Sequence, residues 1–256
     1  MMWILVTWLP TVVASVGTSE YDHFTFAQSW PPGVCASAGE VHSCQVDRNI
    51  TTWTIHGLWP TNGSHEGPYH CSEEPFDENQ IASFKNELLI YWPNLFKDTE
   101  ADRLWDHEWT KHGVCAKDVP ATNGEYNYFR KGLELNRKYR LLQILEVAGI
   151  TPNQTTNYTI GQVHDAVKNT TGVEAVFMCY CVRKRRMHPE KRYILTEIQI
   201  CLDKTKFTPV ACPNVQIKRN RCPGFSKCPK HFSYPPIQYG PDETIYFERF
   251  GALSGI

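Results

Sequence analysis

The chain has 256 residues and nearly balanced charge, with 26 basic and 27 acidic side chains and a formal net charge of −1. This balance excludes the strongly basic class of obligate nucleic-acid binders, although it is compatible with a catalyst that meets a polyanion transiently. With 41% hydrophobic residues, the chain is long enough for one large domain. Beyond its N-terminal segment it contains no stretch apolar enough to predict a membrane span.

The N-terminal segment has the features of a secretory signal peptide. Residues 1–17 are apolar, carry no acidic or basic side chain, and offer the small residues Ser15 and Gly17 to a signal peptidase. We therefore expect residues 1–17 to be removed on export. Residues 18–256 would then form one domain with a Cys- and Pro-rich C-terminal extension beyond Cys212.

Cysteines and glycosylation sequons also favour export. The ten cysteines are an even number, and Cys35/Cys44 and Cys201/Cys212 have spacings typical of stapled hairpins. Sequons begin at Asn49, Asn62, Asn153, Asn157 and Asn169. A disulfide-bonded glycoprotein, either secreted or kept in lysosomes, is predicted.

The first part of the domain predicts two strands and a helix. Residues 24–30 alternate apolar and polar side chains as a strand does, and a small-residue loop over residues 35–44 follows. Residues 52–55 alternate again and place His56 at a strand end, before a glycine turn, where its side chain faces a cleft. Apolar positions 81, 84, 88 and 91 predict an amphipathic helix that Pro93 ends.

The rest of the domain predicts further helices, then a hairpin. A helix is expected to begin at Leu104, with Gly113 as its C′ residue. Further helices are expected over residues 126–135, 139–148 and 159–167. The last of them begins with the capping-box pair Thr159 and Gln162. Strands are expected over residues 175–182 and 193–202, with coil beyond Cys212. The Arg- and Lys-rich loop between them, residues 183–192, is more simply a solvated hairpin tip than an RNA-steering patch.

Interspersed helices and antiparallel hairpins indicate an α+β fold. We expect a central antiparallel sheet packed against several helices in a single disulfide-stapled domain.

Residues 104–115 crowd titratable side chains onto one helical face. Side chains four residues apart are neighbours on a helix. Three such pairs occur: His107 with Lys111, Glu108 with His112, and Trp105 with Trp109. The tryptophans can anchor the helix in the core, whereas the titratable pairs indicate a catalytic site.

A zinc-protease interpretation of this helix fails on spacing. That signature requires two histidines four residues apart, whereas His112 follows His107 by five. At ~100° per residue, five residues would splay the two imidazoles by roughly 140°. Lys111 lies between them with a charge that repels a cation. We therefore expect neither a metal nor a cofactor.

A third histidine, His56 in residues 53–60, can face this helix across a cleft. Two histidines from separate segments can act as general base and general acid. RNA suits such a pair, because one imidazole can take the 2′-hydroxyl proton while the other protonates the leaving 5′-oxygen. The pentacovalent phosphorane gains negative charge, which a lysine or a protonated histidine would stabilise.

Both segments resemble the active-site segments of the ribonuclease T2 family. The matching stretches are WTIHGLWP at residues 53–60 and LWDHEWTKHGVC at residues 104–115. The Gln-Ser-Trp-Pro motif at residues 28–31 and the Tyr-Trp-Pro motif at residues 91–93 follow the family's order. The resemblance covers roughly residues 24–212.

The resemblance implies a role for each titratable residue. His112 would be the base and His56 the acid. Glu108 and Lys111 would polarise the phosphate and stabilise the transition state, and His107 would bind phosphate.

The resemblance also implies two base-binding sites. Trp59 would stack the first base, and the alternative, that a tryptophan there is a core residue, is the weaker interpretation. The second site would be formed by Gln28, Trp92, Pro93 and Leu104. The chain departs from the family pattern at Thr61, where many members carry Asp, and at Leu104, where an aromatic residue is common. Base preference therefore stays open, and Leu104 would stack a base less well.

Three disulfide bonds are implied by the same resemblance: Cys35–Cys44, Cys71–Cys115 and Cys201–Cys212. Two further bonds would form among Cys179, Cys181, Cys222 and Cys228, and their pairing stays open.

The sequence thus predicts a secreted or lysosomal endoribonuclease that cleaves single-stranded RNA without a metal, through a 2′,3′-cyclic phosphate. We expect a monomer that forms no stable complex with DNA. The alternative is a secreted signalling or binding glycoprotein that retains the ribonuclease fold.

Overall fold

A computed structural model describes residues 20–39, 41–63, 67–183, 191–213 and 222–239. The expected signal peptide, the centre of the basic hairpin loop and the end of the C-terminal extension lie outside these ranges. Within them, no helix combines the length and the apolar character that a membrane span requires.

The described ranges form six α-helices and seven β-strands. The helices are α1 (Pro31–Ala38), α2 (Lys85–Tyr91), α3 (Arg103–Lys111), α4 (Glu125–Lys138), α5 (Leu141–Val147) and α6 (Ile160–Thr171). The strands are β1 (His23–Ser29), β2 (Thr54–Thr61), β3 (Asn157–Thr159), β4 (Val176–Arg183), β5 (Lys191–Asp203), β6 (Gly224–Lys227) and β7 (His231–Ser233). Short 3₁₀ segments cover Glu78–Phe84, Gly113–Cys115 and Pro120–Thr122.

All seven strands belong to one sheet, and its main path runs β2-β1-β5-β4-β6. Every pairing along this path is antiparallel, which confirms the expected α+β architecture with a central antiparallel sheet. β3 pairs with β7, which meets β5 at a single parallel bridge. β1 therefore lies between β2 and β5, and side chains from these two flanking strands can meet across it.

The helix that carries the titratable residues is anchored by its two tryptophans. Trp105 and Trp109 of α3 are both 0% exposed, and they pack in one core cluster with Phe24 and Phe26 of β1. Tryptophans this deeply buried stabilise a fold by about 3–5 kcal/mol each relative to alanine. The expected anchoring of this helix is confirmed.

Local chemistry accounts for the elements predicted correctly. At the start of α6 the Thr159 side chain accepts from the Gln162 amide, and the Gln162 side chain accepts from the Thr159 amide, so the capping box is present. Gly172 ends this helix with a left-handed φ of 78°. Helices α4 and α5 also occur where the apolar periodicity predicts them.

The first local correction concerns residues 35–44, for which we expected a loop. Helix α1 covers most of the first half of this stretch. Pro31 and Pro32 occupy its first turn, where a missing amide proton costs nothing, and Gly39 ends it with a φ of 61°. Gly33 lets the helix lie close to β5, because a Cβ there would stand 2.5 Å from the Leu195 carbonyl oxygen.

Three further local expectations were wrong. The first half of the helix expected before Pro93 is a 3₁₀ segment, which begins where the Asp77 side chain accepts from the Asn79 amide. Gly113 is not a left-handed C′ residue, because the chain tightens there into a 3₁₀ turn in which the Ala116 amide donates to the Gly113 carbonyl. Beyond Cys212 the chain is not all coil, because β6 pairs with β4 and β7 pairs with β3.

All ten cysteines form disulfide bonds. Cys35–Cys44, Cys71–Cys115 and Cys201–Cys212 are present, as the resemblance implied. The pairing left open from sequence is Cys179–Cys228 and Cys181–Cys222. These last two bonds tie β4 to the segment that carries β6.

The mature protein should therefore contain no free thiol. We expect alkylation of the denatured, unreduced protein to label none of the ten cysteines, because each is bonded to another. Mass spectrometry of the labelled protein is the measurement. Two labelled cysteines among Cys179, Cys181, Cys222 and Cys228 would contradict the five-bond arrangement.

Candidate active site

His56 protrudes from the sheet at a β-bulge. Ala27 of β1 faces Gly57 of β2, but the next residue, Gln28, faces Ile55, so His56 is an extra residue without a partner on β1. The expectation that His56 ends a strand was wrong, because β2 continues to Thr61. A bulge re-aims the side chain of the extra residue, and the His56 side chain is 43% exposed.

Glu197 of β5 holds the His56 ring. The Nδ1 atom of His56 lies 2.5 Å from a carboxylate oxygen of Glu197, which is itself only 8% exposed. The same carboxylate accepts hydrogen bonds from Ser29 and Gln199 at 3.4 and 2.6 Å. These contacts orient the ring so that Nε2 remains for a substrate.

The Glu197 partner keeps His56 charged. Burial disfavours the imidazolium, but the charge and the hydrogen bond of Glu197, with a further contribution from Glu108, raise the pKa of His56 to about 9. Burial likewise opposes ionisation of Glu197, but His56 and the other donors hold its pKa below the usual range. Both directions agree on an imidazolium–carboxylate pair at neutral pH.

Sequence reasoning missed Glu197. The signal was a carboxylate inside a strand of alternating apolar residues, on the face opposite to Ile198 and Ile200. A carboxylate in such a position is seldom buried without a partner.

His112 lies in the opposite electrostatic environment. It is 5% exposed, and among the described residues its Nδ1 has no hydrogen-bond partner. Burial, and then the nearby positive charge of Lys111 and the other histidines, lower the pKa of His112 to about 2. The neutral imidazole is therefore the stable form.

Glu108 does not act on His112 as the helical spacing suggests. At i, i+4 a carboxylate would favour imidazolium, but Glu108 is 1% exposed and burial raises its pKa to about 7, against the opposing effects of His56, Trp59 and Lys111. Its Oε2 accepts a hydrogen bond from Trp59 Nε1 at 2.8 Å. The carboxyl group thus turns to Trp59.

Trp59 contacts both histidines. Its ring centroid lies 5.0 Å from that of His56 and 5.5 Å from that of His112. Gly57 makes this possible, because a Cβ there would stand 2.0 Å from Trp59 Nε1 and 2.3 Å from Glu108 Oε2. Trp59 therefore belongs to the site and not to the core.

Tyr69 is a second aromatic residue at the site, and unlike Trp59 it was not predicted from the sequence. Its ring contacts His112 edge-on at 5.3 Å, and the Lys111 ammonium lies 4.7 Å from the ring centroid. Tyr69 is 37% exposed, so the ring is accessible to a ligand. The sequence did contain an indication of this position, because Tyr69 is two residues before Cys71, and the bond from Cys71 to Cys115 brings this segment to the end of α3.

His107 and His112 are closer than the spacing argument allowed. Their ring centroids are 6.2 Å apart, because His112 caps the helix with φ −116° instead of continuing it. His107, Glu108 and His112 each present a ligand atom within 4.8 Å of the others, so spacing does not rule out a shared metal. Burial and then Lys111 also lower the pKa of His107. A positive charge that destabilises both imidazolium ions opposes a metal cation and favours an anion.

A cavity of about 560 Å³ opens beside His56. Its lining includes His107, Pro93 and Leu104, as well as Glu197. Two of the four residues assigned to a second base site thus lie there.

The other two residues do not line this cavity. Trp92 is 0% exposed and donates from Nε1 to the His56 carbonyl at 2.9 Å, so it supports the bulge from within the core. Gln28 is 1% exposed and donates to Asn136 at 2.7 Å. Strand alternation turns Gln28 to the side opposite Ser29 and Glu197.

Comparison with known proteins identifies the family. The model of the ribonuclease T2 family matches residues 21–212. Ribonuclease Oy of Magallana gigas is 41% identical over 220 residues, which cover 85% of this chain and 98% of that protein. Ribonuclease T2-A of Mus musculus is 32% identical, over 73% of this chain and 68% of that protein.

Solved structures agree with the sequence comparisons. RNase NT, solved in complex with 5′-AMP, superposes with a TM-score of 0.69 at 27% identity, over 85% of this chain and 100% of that one. Human RNase T2 gives a TM-score of 0.65 at 27% identity, over 84% and 99%. The chain therefore belongs to the ribonuclease T2 family and is an endoribonuclease.

Proposed function

We propose that this endoribonuclease cleaves single-stranded RNA by transphosphorylation. The 2′-oxygen attacks phosphorus and the bond to the 5′-oxygen breaks, leaving a 2′,3′-cyclic phosphate and a free 5′-hydroxyl. His112 takes the proton from the 2′-hydroxyl, and His56 gives a proton to the leaving oxygen. The opposite charge states of these two imidazoles, which both contact Trp59, support this assignment most strongly.

The environments of the two histidines match their proposed roles. A general base must begin neutral, and burial next to Lys111 keeps His112 neutral. A general acid must begin protonated, and Glu197 keeps His56 protonated. The reverse assignment would require each histidine to start in its disfavoured form.

The remaining groups on α3 are placed to stabilise the phosphorane. Lys111 is close enough to lower the pKa of both His107 and His112, so it can neutralise negative charge between them. His107 is exposed and would bind phosphate, which favours its protonated form. Glu108, with a pKa of about 7, can donate a hydrogen bond from its protonated carboxyl to a phosphate oxygen in mildly acidic solution.

The aromatic residues suggest where the bases bind. Trp59 and Tyr69 both contact His112, so they would stack the base whose 2′-hydroxyl is attacked. Pro93 and Leu104 line the cavity beside His56, where the leaving nucleoside would lie. The Thr61 hydroxyl donates to the Trp59 carbonyl and bonds with Thr25, so it is not free to read a base.

The proposed reaction restricts the substrate, because it requires a 2′-hydroxyl. DNA lacks the 2′-hydroxyl, so it is neither cleaved nor expected to form a stable complex. We also propose that the protein is a monomer.

The location is supported by the covalent features of the chain. Five disulfide bonds, the leader and the sequons support a secreted or lysosomal protein, and a tomato relative is named extracellular ribonuclease LE. Asn49, Asn62, Asn157 and Asn169 are exposed, whereas Asn153 is half-buried and hydrogen-bonded to Tyr158.

Replacing either histidine should remove most of the activity. We expect His56→Ala and His112→Ala each to lower kcat on a dinucleoside monophosphate by about 10²–10⁴-fold, the usual scale for a positioned acid or base. His231→Ala, which changes an exposed histidine on β7, is the matched control and should be silent. Near-normal turnover in either variant would refute its assignment. A double variant that keeps a biological effect would favour the signalling alternative.

The pH profile should depend on Glu197. The alkaline limb of kcat/KM reports loss of the proton from His56, so it should fall near the pKa of about 9. Glu197→Gln removes the charge but keeps an acceptor for Nδ1, so the pKa of His56 should drop and the alkaline limb should move to lower pH. Because the pKa of His112 is low, the acidic limb of the profile should lie below the pH range in which an ordinary histidine titrates. An active Gln variant with an unmoved alkaline limb would contradict this role of Glu197.

Cleavage should survive removal of metal ions. The charge of Lys111 disfavours a cation among His107, Glu108 and His112, and the proposed proton transfers require none. We expect unchanged initial rates in excess EDTA. Complete loss of activity, restored by added zinc, would show that the mechanism is wrong.

A further inference from the structure

Strand β6 follows residue 212, where the match to the family model ends, and it forms one end of the main path of the sheet. It pairs with the outer side of β4, where Phe225 faces Tyr180. Cys181–Cys222 and Cys179–Cys228 bond to β4 on either side of Phe225 in the sequence. This short strand is therefore fixed covalently at both ends.

The strand register brings Phe225 to the side of the sheet that carries Glu197. Met178 of β4 pairs with Glu197, and Tyr180 lies two residues further along β4, so their side chains share a face. Phe225 is opposite Tyr180 and points the same way, with ring centroids 5.2 Å apart and an edge-on contact. It consequently lines the cavity beside His56.

Phe225 leaves much of its ring uncovered at this position. It is 46% exposed, although phenylalanine normally buries most of its surface. Phe96 also lines the cavity, but His42 already stacks on it at 4.5 Å and an interplanar angle of 7°. An accessible aromatic ring in a cleft next to a catalytic acid is suited to a planar ligand.

We propose that Phe225 stacks on the base of the leaving nucleoside, on the 3′ side of the scissile phosphate. This inference rests on the proposed function, because His56 marks the leaving side only if it is the general acid. Every base offers a π-face, so the contact would strengthen binding without fixing a sequence. It would supply in this chain the aromatic surface that Leu104 lacks.

The test compares a substrate that has a leaving nucleoside with one that lacks it. A dinucleoside monophosphate occupies both base sites, whereas a 2′,3′-cyclic mononucleotide is hydrolysed with water in place of the leaving nucleoside. In the full-length, disulfide-bonded protein, Phe225→Leu keeps apolar bulk but removes the π-face. It should raise KM for the dinucleotide between about fivefold and about a hundredfold, the range of base–aromatic stacking, and leave hydrolysis of the cyclic mononucleotide unchanged.

Two controls make the result specific. Phe225→Trp should preserve the KM of the dinucleotide, because it retains a stacking surface. Tyr126→Ala removes an equally exposed aromatic residue, 47% accessible on α4 and outside the cavity lining, and should change neither reaction. An unchanged KM in Phe225→Leu, or an equal loss on both substrates, would overturn the proposal.

A binding measurement separates failure of this inference from failure of the proposed function. Calorimetry with a dinucleoside monophosphate whose attacking 2′-hydroxyl is methylated, on the unchanged protein and on Phe225→Leu, measures stacking without turnover. Weaker binding by Phe225→Leu supports the contact even if the proton-transfer roles are wrong. Equal affinity of the two proteins counts against it whatever the mechanism. If Phe225 instead served a protein partner, nucleotide affinity would not depend on it.

Discussion

The hydrogen bond between His56 and Glu197 is the contact on which the candidate site depends. The two residues come from strands that are not neighbours, because β1 lies between β2 and β5. The bulge in β2 lifts His56 out of the regular pleat, and Ser29 of the intervening strand donates to the same Glu197 carboxylate. One contact thus sets the direction of the ring and its charge, and the sheet fixes both before substrate arrives.

His112, the other histidine of the candidate site, has the opposite charge state because of where it is buried. Trp105 and Trp109 hold α3 against the core, which draws the end of the helix into a dry environment. His112 therefore loses solvation, its Nδ1 gains no hydrogen-bond partner among the described residues, and the charge of Lys111 adds to the cost of protonation. Two residues of one type acquire different charge states because one is paired with a buried carboxylate and the other is desolvated next to a cation.

Local sequence determined what could be predicted, and tertiary contacts determined the rest. The capping box of α6 and the tryptophan spacing of α3 are short-range patterns, so the helices they predict are present. The bulge at His56 depends on pairing with β1, which no neighbouring residue encodes. Glu197 and Tyr69 come to the site from distant positions in the chain. Tertiary contacts also decide the charge state of His112, since i, i+4 spacing places Glu108 beside it but cannot show that the buried carboxyl bonds to Trp59 instead.

The two sides of the cleft are constrained to different degrees. The proposed acid and its partner Glu197 lie on β2 and β5, and the proposed base lies at the end of α3, so a change in any of these elements would disturb the core as well as the site. The cavity beside His56 is lined by these same elements and also by α1, by the segment after α2 and by β6. Two disulfide bonds hold β6 against β4, while the Phe225 side chain itself remains outside the core clusters. An aromatic residue placed there can therefore change while the proton-transfer geometry stays fixed. A contact with the leaving nucleoside at this position would therefore add binding energy without taking part in the proposed proton transfers.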